Sequence, residues 1–141
     1  MLFSARVCRA DCATAVQKLC TQISCWSAAA DPALIRLMVY VECELDLELV
    51  GTLAPEDATD LKINVWPDAD WNGDDSTTKS ASGLFVELRS PSSGRTFPLL
   101  WNTSLQTATA SSSAESETVS LSAGLRQEAL PVQELFEVFL G

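Results

Sequence analysis

Residues 65–74 read Val65-Trp66-Pro67-Asp68-Ala69-Asp70-Trp71-Asn72-Gly73-Asp74, and they join an apolar segment to a group of carboxylates. Apolar and polar side chains alternate over residues 61–65, which is typical of a half-buried strand. Asp68 is therefore expected at the end of a strand, with Asp70 on the same side of it. Carboxylates in such a place suit a hard cation such as Mg²⁺. Taken alone, the stretch favours a plainer alternative, a polar turn at Asn72-Gly73-Asp74, because Asn and Asp are common turn residues.

The segment that follows predicts two further strands. Side chains alternate again over residues 82–89 and 97–101, and Ser90-Pro91-Ser92-Ser93-Gly94 between them is typical of a turn. With the strand at 61–68 this gives an antiparallel three-stranded meander. Pro98 lacks a backbone N–H, so it predicts a sheet edge or a bulge in the third strand.

A helix is predicted from Ser112, where Ser112-Ser113-Ala114-Glu115 matches a capping box. At 100° per residue one stripe of this helix collects Glu117, Leu121, Leu125, Glu128, Val132, Leu135 and Phe139. Glu117 is thus expected on the face that packs against the sheet, where a buried carboxylate needs a metal, a partner or water. The alternative is that Glu117 only complements the positive end of the helix dipole. Pro131 predicts a kink or a restart of the helix.

The N-terminal part predicts two helices and a strand. Apolar residues recur at helical spacing over 11–26, and Asp31-Pro32 indicates the capped start of a second helix. Acidic and apolar residues alternate over 43–50, which predicts an edge strand with a solvated acidic face. Residues 51–60 are expected to form a loop.

Composition limits the function. The chain has 141 residues, is 47% hydrophobic and carries a formal net charge of −10. Phosphate binding depends on Lys and Arg, so nucleic acid is expected to bind only through metal ions or basic partner segments. No apolar run approaches the roughly 18–20 residues that span a membrane, and residues 1–7 are too short and too interrupted for a secretory signal.

The cysteines favour a reducing compartment. Four of the five lie within residues 8–25, there is no C-x-x-C pair, and the chain has no histidine. Reduced thiols on a helix are expected, and with them an intracellular location, cytoplasmic or nuclear. A zinc or thiol module formed by Cys8, Cys12, Cys20 and Cys25 is the least favoured alternative.

Several segments together resemble a known family. They are Trp66 to Asp74, Thr78-Lys79-Ser80-Ala81-Ser82-Gly83, Trp101, Gln106, and Ser112-Ser113-Ala114-Glu115-Ser116-Glu117. Their order and spacing resemble the ribonuclease H (RNase H) domain of copia-type retrotransposon Pol polyproteins. Ala15-Val16, Trp26 and residues 33–40 are similar to the end of the reverse transcriptase region of the same polyproteins.

The resemblance implies a reaction and its residues. The family hydrolyses the RNA strand of RNA–DNA hybrids with two Mg²⁺ ions, for which Mn²⁺ can substitute. Asp68 and Glu117 match the family's catalytic, metal-binding carboxylates, and Asp70 is a further candidate ligand. The family's third ligand lies in a later strand that carries C-D-N, and a fourth acidic residue follows it. Neither has a match in these 141 residues, and Ser104 and Leu105 replace two common lysines. The isolated chain is therefore expected to bind Mg²⁺ weakly, to be inactive, and to self-associate through an exposed sheet edge.

The resulting expectation is an α+β chain. Residues 1–60 form a reverse transcriptase tail, and residues 61–141 form an incomplete RNase H-like domain, a three-stranded meander followed by a helix. The alternative from another class is a non-enzymatic, small acidic α+β protein-interaction domain, in which Asp68 and Glu117 are only turn and cap residues.

Overall fold

The computed structural model of the chain describes residues 2–71 and 78–140. The chain divides into two compact units, Met1–Leu49 and Val50–Gly141. Residues 50–60 belong to the second unit, because the Thr52 N–H donates to the Thr96 carbonyl at 2.7 Å and Arg95 pairs with Glu56 at 2.7 Å. The division after residue 60, which followed from the resemblance, stays a prediction about the origin of the two segments.

The first unit contains helices α1 (Leu2–Val7), α2 (Ala13–Cys20) and α3 (Asp31–Cys43). The single helix predicted over 11–26 is instead α2, with a short 3₁₀ turn before it and another after it. The α-helix ends because Thr21 Oγ1 donates to the Lys18 carbonyl at 2.8 Å and the chain then tightens into i→i+3 hydrogen bonds. The core is a buried cluster of small and branched side chains: Ala5, Cys12, Val16 and Leu37.

Helix α3 begins where the sequence predicts it, with Pro32 in its first turn. The capping residue differs, however. Ala30 occupies the N-cap without a side-chain hydrogen bond, and the Asp31 carboxylate instead accepts a hydrogen bond from Trp26 Nε1 at 2.9 Å.

The predicted edge strand over 43–50 is wrong. Helix α3 extends through Cys43, and residues 44–50 are exposed and pair with none of the described strands. An alternating sequence becomes a strand only beside a partner that satisfies its backbone groups. None of the described strands provides that partner here.

The second unit contains the antiparallel sheet that the sequence predicts. Strands β1 (Lys62–Asp70), β2 (Ala81–Arg89) and β3 (Thr96–Leu105) pair in the order β1-β2-β3. The register shifts between Val86 and Glu87, where Val86 pairs with Leu100 and Glu87 with Pro98. Pro98 therefore lies beside a bulge in an edge strand, as its missing N–H predicts.

Two helical segments follow the sheet, α4 (Ser113–Gly124) and α5 (Leu130–Leu140), joined by a π-helical turn over Leu125–Ala129. The cap of α4 is confirmed, because Ser112 Oγ accepts a hydrogen bond from the Glu115 N–H at 3.2 Å. The helix restarts at Leu130, next to Pro131, as predicted. The chain is thus an α+β protein. Over residues 2–71 and 78–140, no helix has both the length and the apolar character that a membrane span requires.

Candidate functional site

Asp68 and Asp70 lie at the end of β1, and both are exposed. Asp68 pairs with Gly83 across the sheet, and a Cβ placed on Gly83 would be 4.0 Å from the Asp68 Cβ, so the two positions share a face. Leu84, the next residue, packs against Gly124 of α4 from the opposite face. Because successive strand residues alternate between faces, the side chains of Asp68 and Asp70 point away from α4.

Glu117 lies near the start of α4 and is exposed. The expectation that it faces the sheet is wrong. The predicted stripe placed large apolar residues on the sheet, but Leu121 and Leu125 are 44% and 41% exposed. The buried face of α4 consists instead of small residues at four-residue intervals: Ser116, Ser120 and Gly124.

Helix α4 nevertheless contacts β1 at Asp68. Ser120 Oγ donates to the Asp68 carbonyl oxygen at 2.7 Å and lies 3.4 Å from the Gly83 carbonyl oxygen. Glu117 precedes Ser120 by three residues, which corresponds to about 4.5 Å along the helix axis. The main chain of Asp68 and the helix turn that carries Glu117 are therefore neighbours, although the side chain of Asp68 points away from α4.

Gln106 connects β2, β3 and α4. Its buried side-chain Nε2 donates to Ser82 Oγ and to the Ser116 carbonyl, both at 2.9 Å, and its own N–H donates to the Ser80 carbonyl at 2.9 Å. A buried amide with its donors satisfied in this way fixes the helix start against the strand ends.

Trp71 connects the end of β1 to the segment that enters α4. Its Nε1 donates to the Ala110 carbonyl at 3.3 Å. Close by in the sequence, the Glu115 carboxylate accepts hydrogen bonds from the Ser111 N–H at 2.7 Å and from Ser111 Oγ at 2.6 Å. These two hydrogen bonds hold the pKa of Glu115 below its usual range, and the bond from the Ser111 hydroxyl has the larger effect. The predicted turn at Asn72-Gly73-Asp74 lies outside the described residues.

The candidate ligands are of the chemical type that Mg²⁺ prefers, but the part of the chain that the structure describes does not group enough of them around one position to hold the ion. Carboxylate oxygens are the ligands that Mg²⁺ prefers. Within residues 2–71 and 78–140, however, no three Asp, Glu, Cys or His side chains are grouped so as to hold a metal. Asp68 and Glu117 would each present one carboxylate, and water or further groups would have to complete the coordination of the ion.

Ser116, Ser120 and Gly124 were missed by the sequence analysis. Their signal was present as small residues at positions i, i+4 and i+8 of the predicted helix, which allow close approach of a helix to a sheet. Counting only large apolar residues hid it.

A charged cluster in the first unit was also missed. Arg9 pairs with Asp11 at 2.8 Å, donates to the Glu44 carbonyl at 3.1 Å, and lies 5.6 Å from the centre of the Tyr40 ring. Its hydrogen bond lowers the pKa of Asp11 to about 2. Asp11 and Tyr40 also line an open cavity of about 500 Å³ between α2 and α3. The cluster fastens the segment after α3 to the start of the unit.

All five cysteines are free thiols, and Cys12 is the buried one. Burial, as the largest effect, and the neighbouring Asp11 carboxylate raise the pKa of the Cys12 thiol. This thiol is therefore part of the core and is poorly suited to act as a nucleophile.

Comparison of the chain with protein-family models, with curated proteins and with solved structures found no match.

Proposed function

We propose that this chain comes from a copia-type Pol polyprotein. Residues 61–141 are the first half of an RNase H-like domain, and residues 1–60 are the end of the reverse transcriptase region. In this proposal the parent protein hydrolyses the RNA strand of RNA–DNA hybrids with two divalent metal ions. The 141-residue chain alone contributes only part of that site.

The observation that carries the proposal is a set of hydrogen bonds among segments far apart in the sequence. Gln106, Ser82, Ser116 and Trp71 all lie in segments that the resemblance singled out. Gln106 bonds to Ser82 and to Ser116, and Trp71 bonds to the residue two before the N-cap of α4. Residues that resemble one family and also contact one another are more informative than the same residues scattered over a surface.

Asp68 and Glu117 have a limited role in this proposal. They supply carboxylate oxygens to a divalent ion, and the ion, when bound, supplies positive charge next to a phosphodiester. Asp70, two residues from Asp68, is a weaker candidate. Ser120 acts as a positioning residue, because its hydroxyl holds α4 against the Asp68 main chain.

The test is Mn²⁺ binding by the whole chain, followed by electron paramagnetic resonance of the free ion. We expect weak binding, and we expect Asp68→Asn and Glu117→Gln each to weaken it by about tenfold or more, because loss of a ligand costs at least as much as loss of a group that orients one. All three candidate carboxylates are exposed, so these variants should fold.

Glu134→Gln is the matched control, since Glu134 is an exposed carboxylate on α5. It should leave Mn²⁺ binding unchanged. Equal losses of Mn²⁺ affinity in all three variants would show that the net charge attracts the ion non-specifically. No measurable Mn²⁺ binding by the unmodified chain would remove Asp68 and Glu117 as ligands.

A second candidate function is a non-enzymatic acidic interaction domain. It is favoured by the direction of Asp68, whose side chain leaves the sheet on the face opposite α4. The double variant Asp68→Asn/Glu117→Gln separates the two proposals. Under this second proposal, removing two repelling carboxylates should preserve or raise the stability of the chain without any change in Mn²⁺ affinity.

A further inference from the structure

The sheet has an outer face, the face opposite α4, which carries alternate residues of each strand. The pairing of β1 with β2 arranges this face in rows. From one end to the other, the rows are Lys62 with Arg89, Asn64 with Glu87, Trp66 with Phe85, Asp68 with Gly83, and Asp70 with Ala81.

An aromatic row crosses the middle of the outer face. Trp66 pairs with Phe85, and Phe85 pairs with Trp101 of β3. The Phe85 and Trp101 rings stack with centroids 6.5 Å apart and planes at 21°. Trp66 is 54% exposed, and its Nε1 donates to Glu87 Oε1 at 3.2 Å, which fixes the ring. A partly exposed aromatic row with one exposed ring, that of Trp66, held in place at the centre of a surface is typical of an interaction site.

Charges of opposite sign lie at the two ends of the same face. Lys62 and Arg89 occupy one end row, Asp70 occupies the other, and all three are exposed. The pairing of two cations across β1 and β2 is unfavourable by itself. An acidic group placed over them would relieve that repulsion.

We propose that a second copy of this chain covers the outer face in an isologous dimer whose two-fold axis runs along the aromatic row. Each strand then runs antiparallel to the same strand of the other copy. Each ring of the row meets its own equivalent, and each row above the axis meets the row at the same distance below it.

The rotation matches the rows in charge and in size. Lys62 lies opposite Asp70 of the partner subunit, and Asn64 lies opposite Asp68 of the partner subunit. On β2, Glu87 lies over Gly83 of the partner subunit, which leaves room for the longer side chain. A charged end row over an oppositely charged end row also sets the register of the two sheets.

The size of the outer face predicts a weak dimer. Three strands of nine or ten residues cover about 400 Å² per copy, given strand spacings of about 4.8 Å and a rise of about 3.3 Å per residue. Stable interfaces usually bury more than about 1,200 Å² in total. We therefore expect reversible association that depends on concentration.

Other occupants fit the outer face less well. Single-stranded nucleic acid stacks on aromatic rings but also needs a cationic groove, and Asp68, Asp70 and Glu87 lie beside these rings in a chain of net charge −10. Edge-to-edge pairing of sheets would leave Trp66 exposed. Neither arrangement uses both charged end rows.

The test is sedimentation velocity of the whole chain over a concentration series at low and moderate salt. We expect a monomer–dimer equilibrium that weakens with salt, and Trp66→Ala should weaken it by about tenfold or more. Lys62→Asp and Asp70→Lys should each weaken it by a similar factor. The double variant Lys62→Asp/Asp70→Lys should return the dissociation constant to within about threefold of the original, because it restores both pairs with reversed sign.

Leu121→Ala is the matched control, since Leu121 is an exposed apolar residue on α4 and lies outside the outer face. It should leave association unchanged. A chain that is monomeric at every concentration would overturn the proposal. So would association that Leu121→Ala weakens as much as Trp66→Ala, or a double variant that associates no better than either single charge reversal. Circular dichroism of each variant separates loss of folding from loss of association.

Discussion

The Gln106 side chain joins two of the segments that resemble the family, one at Ser82 and the other at Ser116. It is buried, and its amide nitrogen bonds to a hydroxyl of β2 and to a carbonyl in the first turn of α4. The residue type was visible in the sequence, but its role was not. The hydrogen-bond partners of Gln106 lie 10 and 24 positions away in the sequence, so they depend on the tertiary fold.

Gln106→Ala should lower the free energy of unfolding of the second unit by about 2–3 kcal/mol. The variant removes two hydrogen bonds and leaves a buried carbonyl and a hydroxyl without their donor. Urea titration followed by tryptophan fluorescence measures the change. Gln133→Ala is the control, because Gln133 is exposed and bonds only locally to Glu137. It should change stability by less than about 0.5 kcal/mol. Equal effects of the two variants would contradict the assigned role of Gln106.

At the scale of elements, strands were easier to predict than helix faces. The three strands and the cap at Ser112 follow from local alternation and from one S-x-x-E pattern. The strand predicted at 43–50 does not form because this segment has no neighbouring strand among the described ones to pair with, and pairing is not a local property of the sequence. The prediction of the sheet-facing side of α4 was wrong because Ser120 and Gly124 allow the helix to approach the sheet more closely than leucine would.

Gly124 tests this close approach. A Cβ at Gly124 would lie 2.7 Å from Leu84 Cδ1, so Gly124→Val should force the helix or Leu84 to move. We expect a loss of about 2–3 kcal/mol from overpacking. Ser122→Val, at an exposed position of the same helix, should change stability by less than about 0.5 kcal/mol, because serine and valine have similar helix propensities.

A double-mutant cycle completes this prediction. Leu84→Ala makes room for the added methyl groups, so Gly124→Val should cost less in that background than in the unmodified chain. Strictly additive effects would place the cause of the loss elsewhere than in the contact between Gly124 and Leu84. Thermal unfolding of the four proteins provides the measurement.

At the scale of the whole molecule, the net charge of −10 suggests that acid should relieve repulsion and stabilise the chain. The structure indicates the opposite for a set of carboxylates that are hydrogen-bonded or ion-paired. Folding lowers the pKa of each of them: Asp11, Glu56, Asp57, Asp60 and Glu115. Composition revealed the charge, but the long-range pairs that decide its effect were not predictable, since Arg95 meets Glu56 across 39 positions.

We expect stability to fall on acidification below about pH 4. A carboxylate whose pKa is lowered by folding stabilises the protein above its unfolded pKa, and this stabilisation is lost as the pH falls through the folded value. For Asp11 the folded pKa of about 2 and the ordinary value of 3.8 define the window. Urea titrations between pH 2 and 6, followed by amide NMR signals of the first unit, measure the slope.

Arg9→Met should flatten the slope in this window, because the Arg9 hydrogen bond is the main cause of the lowered pKa. Arg6→Met is the matched control, since Arg6 is an exposed arginine of α1, and it should leave the slope unchanged. A chain that gains stability from pH 5 to pH 2 would mean that relief of repulsion outweighs the paired carboxylates.

The small-residue face of α4 determines how the helix should separate from the sheet. The helix side of this contact, which consists of Ser116, Ser120 and Gly124, has little apolar surface, so most of the apolar surface that undocking of α4 exposes belongs to the sheet, at residues such as Leu84. Both the heat-capacity change and the denaturant dependence of an opening scale with the surface exposed. Opening of α4 should therefore respond less to urea than global unfolding of the second unit, which exposes a larger surface. The helix is held both by direction-dependent bonds such as Ser120 to Asp68 and by its apolar contact with Leu84, and its release breaks both.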